Sequence, residues 1–416
     1  MPEAREAVGP RGRRWAIVLA GGAGARLSEL TRTPDGATVP KQYCSLLGGA
    51  SLLGAALARA ASLVGRERVV AVVAPEHRPY WTRQLACLPP GNTIQQPANR
   101  GTAPGILLPL LSILERDPLA TVALLPADHY FARERIVRRS LQRALRFAES
   151  DPRGRLAVLG IAPDRAETQY GWIVPAVPTG RIPLAGPLPV SAFVEKPDRE
   201  RAEELRARGG MWNSFLVAAR GAVLLDLFAQ RAPGLVPAFL DALFVQPEER
   251  EQRLARLYAE LEPKDFCRDL LEGSEERLCV SVVPPCGWTD LGDPERGAEC
   301  IDRHGRGFAD ADFASDAPLV LARQLAALRP REAPIVRGVF ARAKAFGPRA
   351  TRPLHFLGSR AGGTGSLPPR TSGLQRSTRH SASNVPRTTP CASIASIAYW
   401  LHVGLKRHIG GFSGER

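Results

Sequence analysis

The chain has 416 residues, 44% hydrophobic and 23% charged, values that exclude wholesale disorder. No apolar run reaches the roughly 18 to 20 residues of a membrane helix, residues 1–14 lack the apolar stretch of a secretory signal, and seven scattered cysteines with no C-x-x-C pair fit neither a disulfide framework nor a zinc knuckle. The net charge of +15 is concentrated in residues 301–416, which carry 18 Lys and Arg against 6 Asp and Glu, so a nucleic-acid-binding body is not supported and the cytoplasm is the expected compartment.

Through residue 300, short apolar runs alternate with amphipathic segments, the pattern of βα units. Residues 15–20 read as a buried strand running into a glycine-rich turn. Residues 52–63 read as a helix, and 69–74 and 121–125 as strands. Pro109, inside the apolar run 106–114, predicts a kinked or interrupted helix. Residues 133–149 form an amphipathic helix with Ile136, Val137, Leu141 and Leu145 on its apolar face. Strands are expected at 156–161, 192–194, 215–218 and 278–283, with helices at 222–230 and 248–261. The fold expected is α/β, a Rossmann-like mixed and mostly parallel sheet flanked by helices over residues 1–300. Residues 358–390, rich in Gly, Ser, Thr, Pro and Arg, cannot bury enough surface to offset their ordering entropy. A basic low-complexity tail, largely disordered, is therefore expected over 301–416.

Five segments carry chemistry. Strand 15–20 enters Ala20-Gly21-Gly22-Ala23-Gly24-Ala25-Arg26, where glycines let backbone N–H groups approach phosphate oxygens and Arg26 adds charge. The bland reading is a turn packing a strand against a helix. Only five of the 56 basic residues are lysines, so Lys41 in Val39-Pro40-Lys41-Gln42 stands out as a compact charge able to approach phosphate. Asp128, in Leu125-Pro126-Ala127-Asp128-His129, sits at a strand's carboxyl end, where open α/β sheets bind ligands; it suits Mg²⁺, or else a helix cap. Glu195-Lys196-Pro197 puts an acid and another rare lysine at a strand end, and Trp288-Thr289-Asp290-Leu291-Gly292 offers a second carboxylate for the same ion.

In this order the segments resemble the sugar-nucleotide pyrophosphorylases, and most of all the mannose-1-phosphate guanylyltransferases. The shared motifs are Gly21 to Leu27 for G-G-x-G-x-R-L, Pro40-Lys41-Gln42, Arg100-Gly101-Thr102-Ala103-Pro104, Leu125 to His129, Tyr170-Gly171-Trp172, Phe193 to Pro197, Trp212-Asn213-Ser214 and Trp288 to Gly292. The resemblance spans about residues 14–300. It implies a nucleotidyltransferase that joins a sugar-1-phosphate to a nucleoside triphosphate. Arg26, Lys41 and Asp128 would be catalytic, and Asp128 and Asp290 would hold Mg²⁺. Ala20, Gly21, Gly22, Gly24, Gln96, Arg100, Gly101 and Thr102 would bind nucleotide; Gly171, Glu195, Lys196 and Asn213 would bind the sugar phosphate. The partners implied are these two small substrates. No membrane is expected, nucleic acid would be reached only non-specifically through the tail, and a homo-oligomer stays open. The sequence departs from the pattern at Ala25 (usually Thr), Glu29 (usually Pro), Phe215 (usually Gly) and Asp293 (usually Ser). Those departures keep two alternatives open: glucose-1-phosphate with UTP or dTTP on the same fold, and a catalytically silent binder.

Overall fold

The structure, a computed structural model, describes residues 13–300 apart from 25–30, 32–37, 46–48, 178–185, 293–295 and 297–299. Arg26, Ala25, Glu29 and Asp293 lie outside the described residues, as does the segment 301–416 that was expected to be a disordered tail. Among the described residues no single helix is long and apolar enough to cross a membrane.

In chain order the elements are β1 (Arg14–Ala20), α1 (Leu52–Val64), β2 (Val69–Val73), α2 (Arg78–Leu85), β3 (Thr93–Gln95), α3 (Thr102–Arg116), β4 (Thr121–Pro126), β5 (Tyr130–Phe131), α4 (Glu134–Ser150) and β6 (Leu156–Ile161). They continue with β7 (Gly171–Pro175), β8 (Leu188–Glu195), α5 (Arg199–Ala207), β9 (Met211–Arg220), α6 (Gly221–Arg231), α7 (Leu235–Leu243), α8 (Pro247–Glu260), β10 (Leu278–Val283) and β11 (Trp288–Thr289). A π-helical turn, Phe266–Leu271, lies between α8 and β10.

Among the described residues, nine strands form one sheet in the order β3-β2-β1-β4-β9-β6-β10-β8-β7. Pairings among β3, β2, β1 and β4, and between β6 and β10, are parallel. The ladders made by β9 with β4, β6 and β7, and by β8 with β10 and β7, are antiparallel. Seven strands therefore run one way and only β8 and β9 run against them, the mixed and mostly parallel sheet expected. β5 and β11 make a separate two-stranded ribbon.

Side chains on a strand alternate between faces, and here both faces are covered. Ile17, Val70, Val72, Val122 and Leu124 pack with α3, α6 and α7 residues in one core. Ala16, Val18, Val69, Ala71, Val73, Ala123 and Leu125 pack with α1 and α4 residues in the other. The apolar face of α4 holds the buried Val137, Leu141 and Leu145, as its period predicts, whereas Ile136 is half-buried at the margin.

Of the kink or interruption expected at Pro109, the interruption is ruled out: α3 is continuous from Thr102 to Arg116 with Pro109 inside it. Proline removes one N–H from the helical ladder. Burial of nearly the whole stretch from Ala103 to Leu114 offsets that loss.

The start of α3 is fixed by a clamp. Gly101 has φ +88, and a Cβ there would overlap the Lys264 carbonyl oxygen. That carbonyl accepts from Ala103 N at 3.0 Å, and Lys264 N donates to Arg100 O at 3.0 Å. Gly101→Ala therefore meets both a left-handed backbone and a backbone collision. It is expected to lower stability by about 2 kcal/mol or more, read as a fall in the urea midpoint; an unchanged midpoint would show that the clamp yields without cost.

Candidate active site

The parallel strands β1, β2 and β4 all end at the same edge of the sheet, and the chemistry-bearing segments gather there. β1 ends at Ala20 and opens into the glycine turn, and Ala127 N donates to Leu19 O at 3.0 Å, which places Asp128 beside that turn. Gln42 holds the turn in shape. Its Nε2 donates to the carbonyls of Ala20 at 3.1 Å and Gly22 at 2.8 Å. With these carbonyls occupied, the turn's N–H groups remain the feature available to an anion. Gln96 lies on the other side of the turn, its Nε2 3.5 Å from Gly21 O. Its buried Oε1 has no hydrogen-bond partner among the described residues.

Lys41 is almost completely buried. Its Nζ lies 3.0 Å from Asp128 Oδ2 and donates to the main-chain oxygens of Asp290, at 2.9 Å, and Leu291, at 3.4 Å. One ammonium thus joins three segments far apart in sequence. Asp128 does not cap a helix; the residues after it enter the short strand β5. Burial raises its pKa, but Lys41 and His129, with the hydrogen bonds it accepts, together outweigh this and hold the carboxyl below the usual range.

Asp290 is fixed differently. Tyr170 Oη at 2.8 Å, Gly292 N at 2.9 Å and Arg296 Nη1 at 2.7 Å all donate to its Oδ1. Burial opposes its ionisation, yet His129, Arg296, Lys41 and the Tyr170 hydroxyl together bring the pKa below the ordinary value. His129 stands beside both acids. Its Nδ1 accepts the Trp288 indole N–H at 3.2 Å, its Nε2 is 3.9 Å from Asp128 Oδ1, and burial pushes its pKa down.

Among the described residues no group of three or more His, Cys, Asp or Glu side chains forms a self-contained metal cage. Asp128 and Asp290 offer hard carboxylate oxygens, and in each the Lys41 or Arg296 contact engages only one of the two. A partial oxygen set of this kind fits Mg²⁺, which ordinarily completes its shell with water and substrate phosphate.

The residues expected to bind the sugar phosphate also meet. Gly171 pairs with Glu195 across β7 and β8, and a Cβ at 171 would lie 2.5 Å from Glu195 Oε2 and 3.3 Å from Asn213 Cβ. Only glycine leaves that approach open. Lys196, at φ +51, turns its Nζ back to Glu195 Oε1 at 3.2 Å. Asn213 Nδ2 donates to the buried Cys267 Sγ at 3.3 Å. Phe215 adopts φ +58 at the irregularity where β9 shifts register against β6. A left-handed backbone costs a non-glycine residue about 1–2 kcal/mol, which accounts for the glycine usual there. The Phe215 ring packs on Phe266 with centroids 6.1 Å apart.

Arg100, Gly101 and Thr102 are engaged elsewhere. The Arg100 guanidinium donates to the carbonyls of Tyr258 at 2.6 Å and Ala259 at 3.0 Å, near the end of α8. Thr102 Oγ1 accepts from Phe266 N at 2.7 Å and donates to Asp265 Oδ2 at 3.2 Å. Arg296, Tyr170 and Cys267 were not singled out as site residues from the sequence. Tyr170 had a signal in its Tyr-Gly-Trp turn; Arg296, one arginine among many, had none.

The sequence profile described as Nucleotidyl transferase matches residues 15–300. Mannose-1-phosphate guanylyltransferase of Escherichia coli strain K12 is 33% identical over 292 residues, 67% of this chain and 58% of that protein. Mannose-1-phosphate guanylyltransferase 2 of Escherichia coli O157:H7 is 30% identical over 293 residues, again 67% and 58%. The chain thus spans under three-fifths of the length of these curated relatives. A crystal structure described as mannose-1-phosphate geranyltransferase from Thermus thermophilus superposes with a TM-score of 0.56 at 28% identity, covering 67% of this chain and 76% of the other.

Glu195 sets a pH dependence with a definite sign. Burial lifts its carboxyl above the ordinary value, against the pull of Lys196. With the folded value above the unfolded one, its contribution is full below the unfolded pKa and is lost as pH rises through the raised value. Glu195→Gln should match the wild type in urea stability near about pH 4 and exceed it near about pH 8. A difference of the same size at both would remove Glu195 as the cause.

Proposed function

The chain belongs to the nucleotidyl transferase family, and on that premise we propose that it joins a sugar-1-phosphate, preferentially mannose-1-phosphate, to a nucleoside triphosphate, preferentially GTP, with release of pyrophosphate. The observation that carries this reading is Lys41, whose backbone lies against Gly24 of the glycine turn and whose buried ammonium is bonded to both acidic segments. The preference for mannose and GTP rests on the names of the relatives, and it is the finer part of the proposal.

In the reaction, an oxygen of the sugar phosphate attacks the α-phosphorus, and the bond from that phosphorus to the bridging oxygen of pyrophosphate breaks. The attacking oxygen is ionised at neutral pH, so no general base is needed. What the chain must do is align highly charged groups and offset their repulsion. The N–H groups of Gly21, Gly22 and Gly24 would cradle the triphosphate, with Arg26 and Lys41 stabilising charge as pyrophosphate departs. Asp128 and Asp290 would hold Mg²⁺, which when bound withdraws charge from the reacting phosphates. Lys196 would hold the attacking phosphate, while Glu195, Asn213 and the open backbone at Gly171 receive the sugar. Gln96, with its unpartnered buried oxygen, would face the base. Arg100, Gly101 and Thr102 would keep that side in place through their ties to α8 and the 264–266 segment.

Pyrophosphate release across a panel of triphosphates and sugar phosphates tests the reading. The pair GTP and mannose-1-phosphate should be consumed fastest; a faster reaction of glucose-1-phosphate with UTP or dTTP would overturn the substrate choice, and no turnover with any pair would overturn the enzyme. Lys41→Ala and Asp128→Asn should each lower turnover by about 10²-fold or more with folding retained. Near-normal rates in either variant would refute its role.

A further inference from the structure

The acidic pair at the sheet edge is neutralised by the chain itself. Lys41 Nζ is 3.0 Å from Asp128 Oδ2, and Arg296 Nη1 is 2.7 Å from Asp290 Oδ1. Both cations are held in place, with 8% and 6% of their surface exposed. Lys41 is pinned by two main-chain oxygens, and the Arg296 guanidinium lies over the Tyr170 ring at 4.7 Å. The next acid outward, Glu167, is 3.7 Å from Arg296 Nη2 but also 3.6 Å from Arg165 Nε. Among the described residues, these two carboxylates and two fixed cations therefore sum to zero, and protonation of His129 would only add to the positive side.

A divalent ion is drawn to a carboxylate pair by unbalanced negative charge, and in a partly buried site the field of a fixed cation is weakly screened. Resting on the nucleotidyltransferase reading, we propose that Lys41 and Arg296 are built-in counter-ions: they suppress binding of a free divalent cation to the substrate-free protein, so that the metal enters only together with the triphosphate. The negative charge that the protein cancels is then supplied by the nucleotide. Arg296 also acts as a positioning residue. With Tyr170 and Gly292 it loads three donors on Asp290 Oδ1, so the carboxylate is oriented before the metal arrives and Oδ2 is left to meet it.

Titration of the full chain with Mn²⁺, followed by the electron paramagnetic resonance signal of the free ion, tests this without any turnover. Without nucleotide the wild type should bind Mn²⁺ weakly. Arg296→Gln and Lys41→Met, which free different carboxylates, should each bind it about tenfold or more tightly. Arg296→Lys, which keeps the charge, should stay close to the wild type. With GTP present, the wild type should retain Mn²⁺. The counter-ion role is overturned if the wild type takes up free Mn²⁺ as tightly as both neutralised variants, or if both bind it more weakly. Should one variant not fold, by its thermal melt, the other decides. Failure of GTP to bind to any form would instead sink the GTP preference of the proposed function, while the comparison in its absence would still judge the counter-ions.

Discussion

A buried ammonium is costly unless its charge and all its donors find partners, and the architecture of this site follows from how Lys41 meets that demand. Its charge needs a carboxylate, supplied by Asp128 at the end of β4. Its remaining donors need acceptors, supplied by main-chain oxygens some 250 residues away in sequence, at Asp290 and Leu291. Leu291 takes φ +51, an unfavourable backbone for a branched side chain. It is accompanied by a turn in which Leu291 N donates to Thr289 Oγ1 and Gly292 N to Asp290 Oδ1. Strain of this kind persists where surrounding contacts over-determine the conformation.

The same constraint reaches the Gly171–Glu195–Asn213 cluster through Tyr170. Its hydroxyl donates to Asp290, its ring stands 4.9 Å from that of Trp288 and 5.2 Å from that of Trp212, and its carbonyl accepts from Lys196 N at 3.2 Å. Trp288 in turn donates to His129 beside Asp128. Packed aromatic rings resist small displacements because close-packed interiors do not deform continuously. The carboxylates and the Gly171–Glu195–Asn213 cluster are therefore parts of one rigid frame, and a change of position on either side is felt on the other.

Much of the frame was legible in the sequence because it depends on local pattern. The apolar runs that became β1, β2, β4, β6 and β10 are buried on both faces, and such strands announce themselves as continuous hydrophobic stretches. The three-residue edge strand β3, the mostly polar α2 and α5, and the two-residue strands β5 and β11 had no such signal. Each is held by its neighbours rather than by its own periodicity. β9 was visible only in its apolar centre, because its first residues, including Trp212 and Asn213, belong to the site as much as to the sheet. The motifs after β1 and β4 gather at one sheet edge because parallel strands deliver their carboxyl ends there, whereas Asn213 arrives near the start of the antiparallel β9 and Gly171 at the start of β7. Their partners could not be read in advance. That Lys41 would bond main-chain oxygens, or that Arg296 rather than another arginine would face Asp290, depends on contacts across more than 100 residues of chain or on a turn that only the folded backbone defines.

The π-helical turn between α8 and β10 shows how a segment without chemistry of its own can govern two subsites. π-Helical turns are rare and are frequently found at functional sites. Just before this one, Lys264 clamps the backbone around Gly101, and Asp265 receives Thr102 while capping the turn through Cys267 N and Arg268 N. Within it, Cys267 holds the Asn213 amide and Phe266 receives the Phe215 ring. Just after it, Glu272 accepts from Glu195 N at 3.3 Å. A helix of ordinary pitch would place successive residues about 100° apart, whereas the wider turn changes the directions in which its residues project. The Gly101–Thr102 segment and the Glu195–Asn213 cluster thus share a support, and the spacing between them is set by one stretch of backbone.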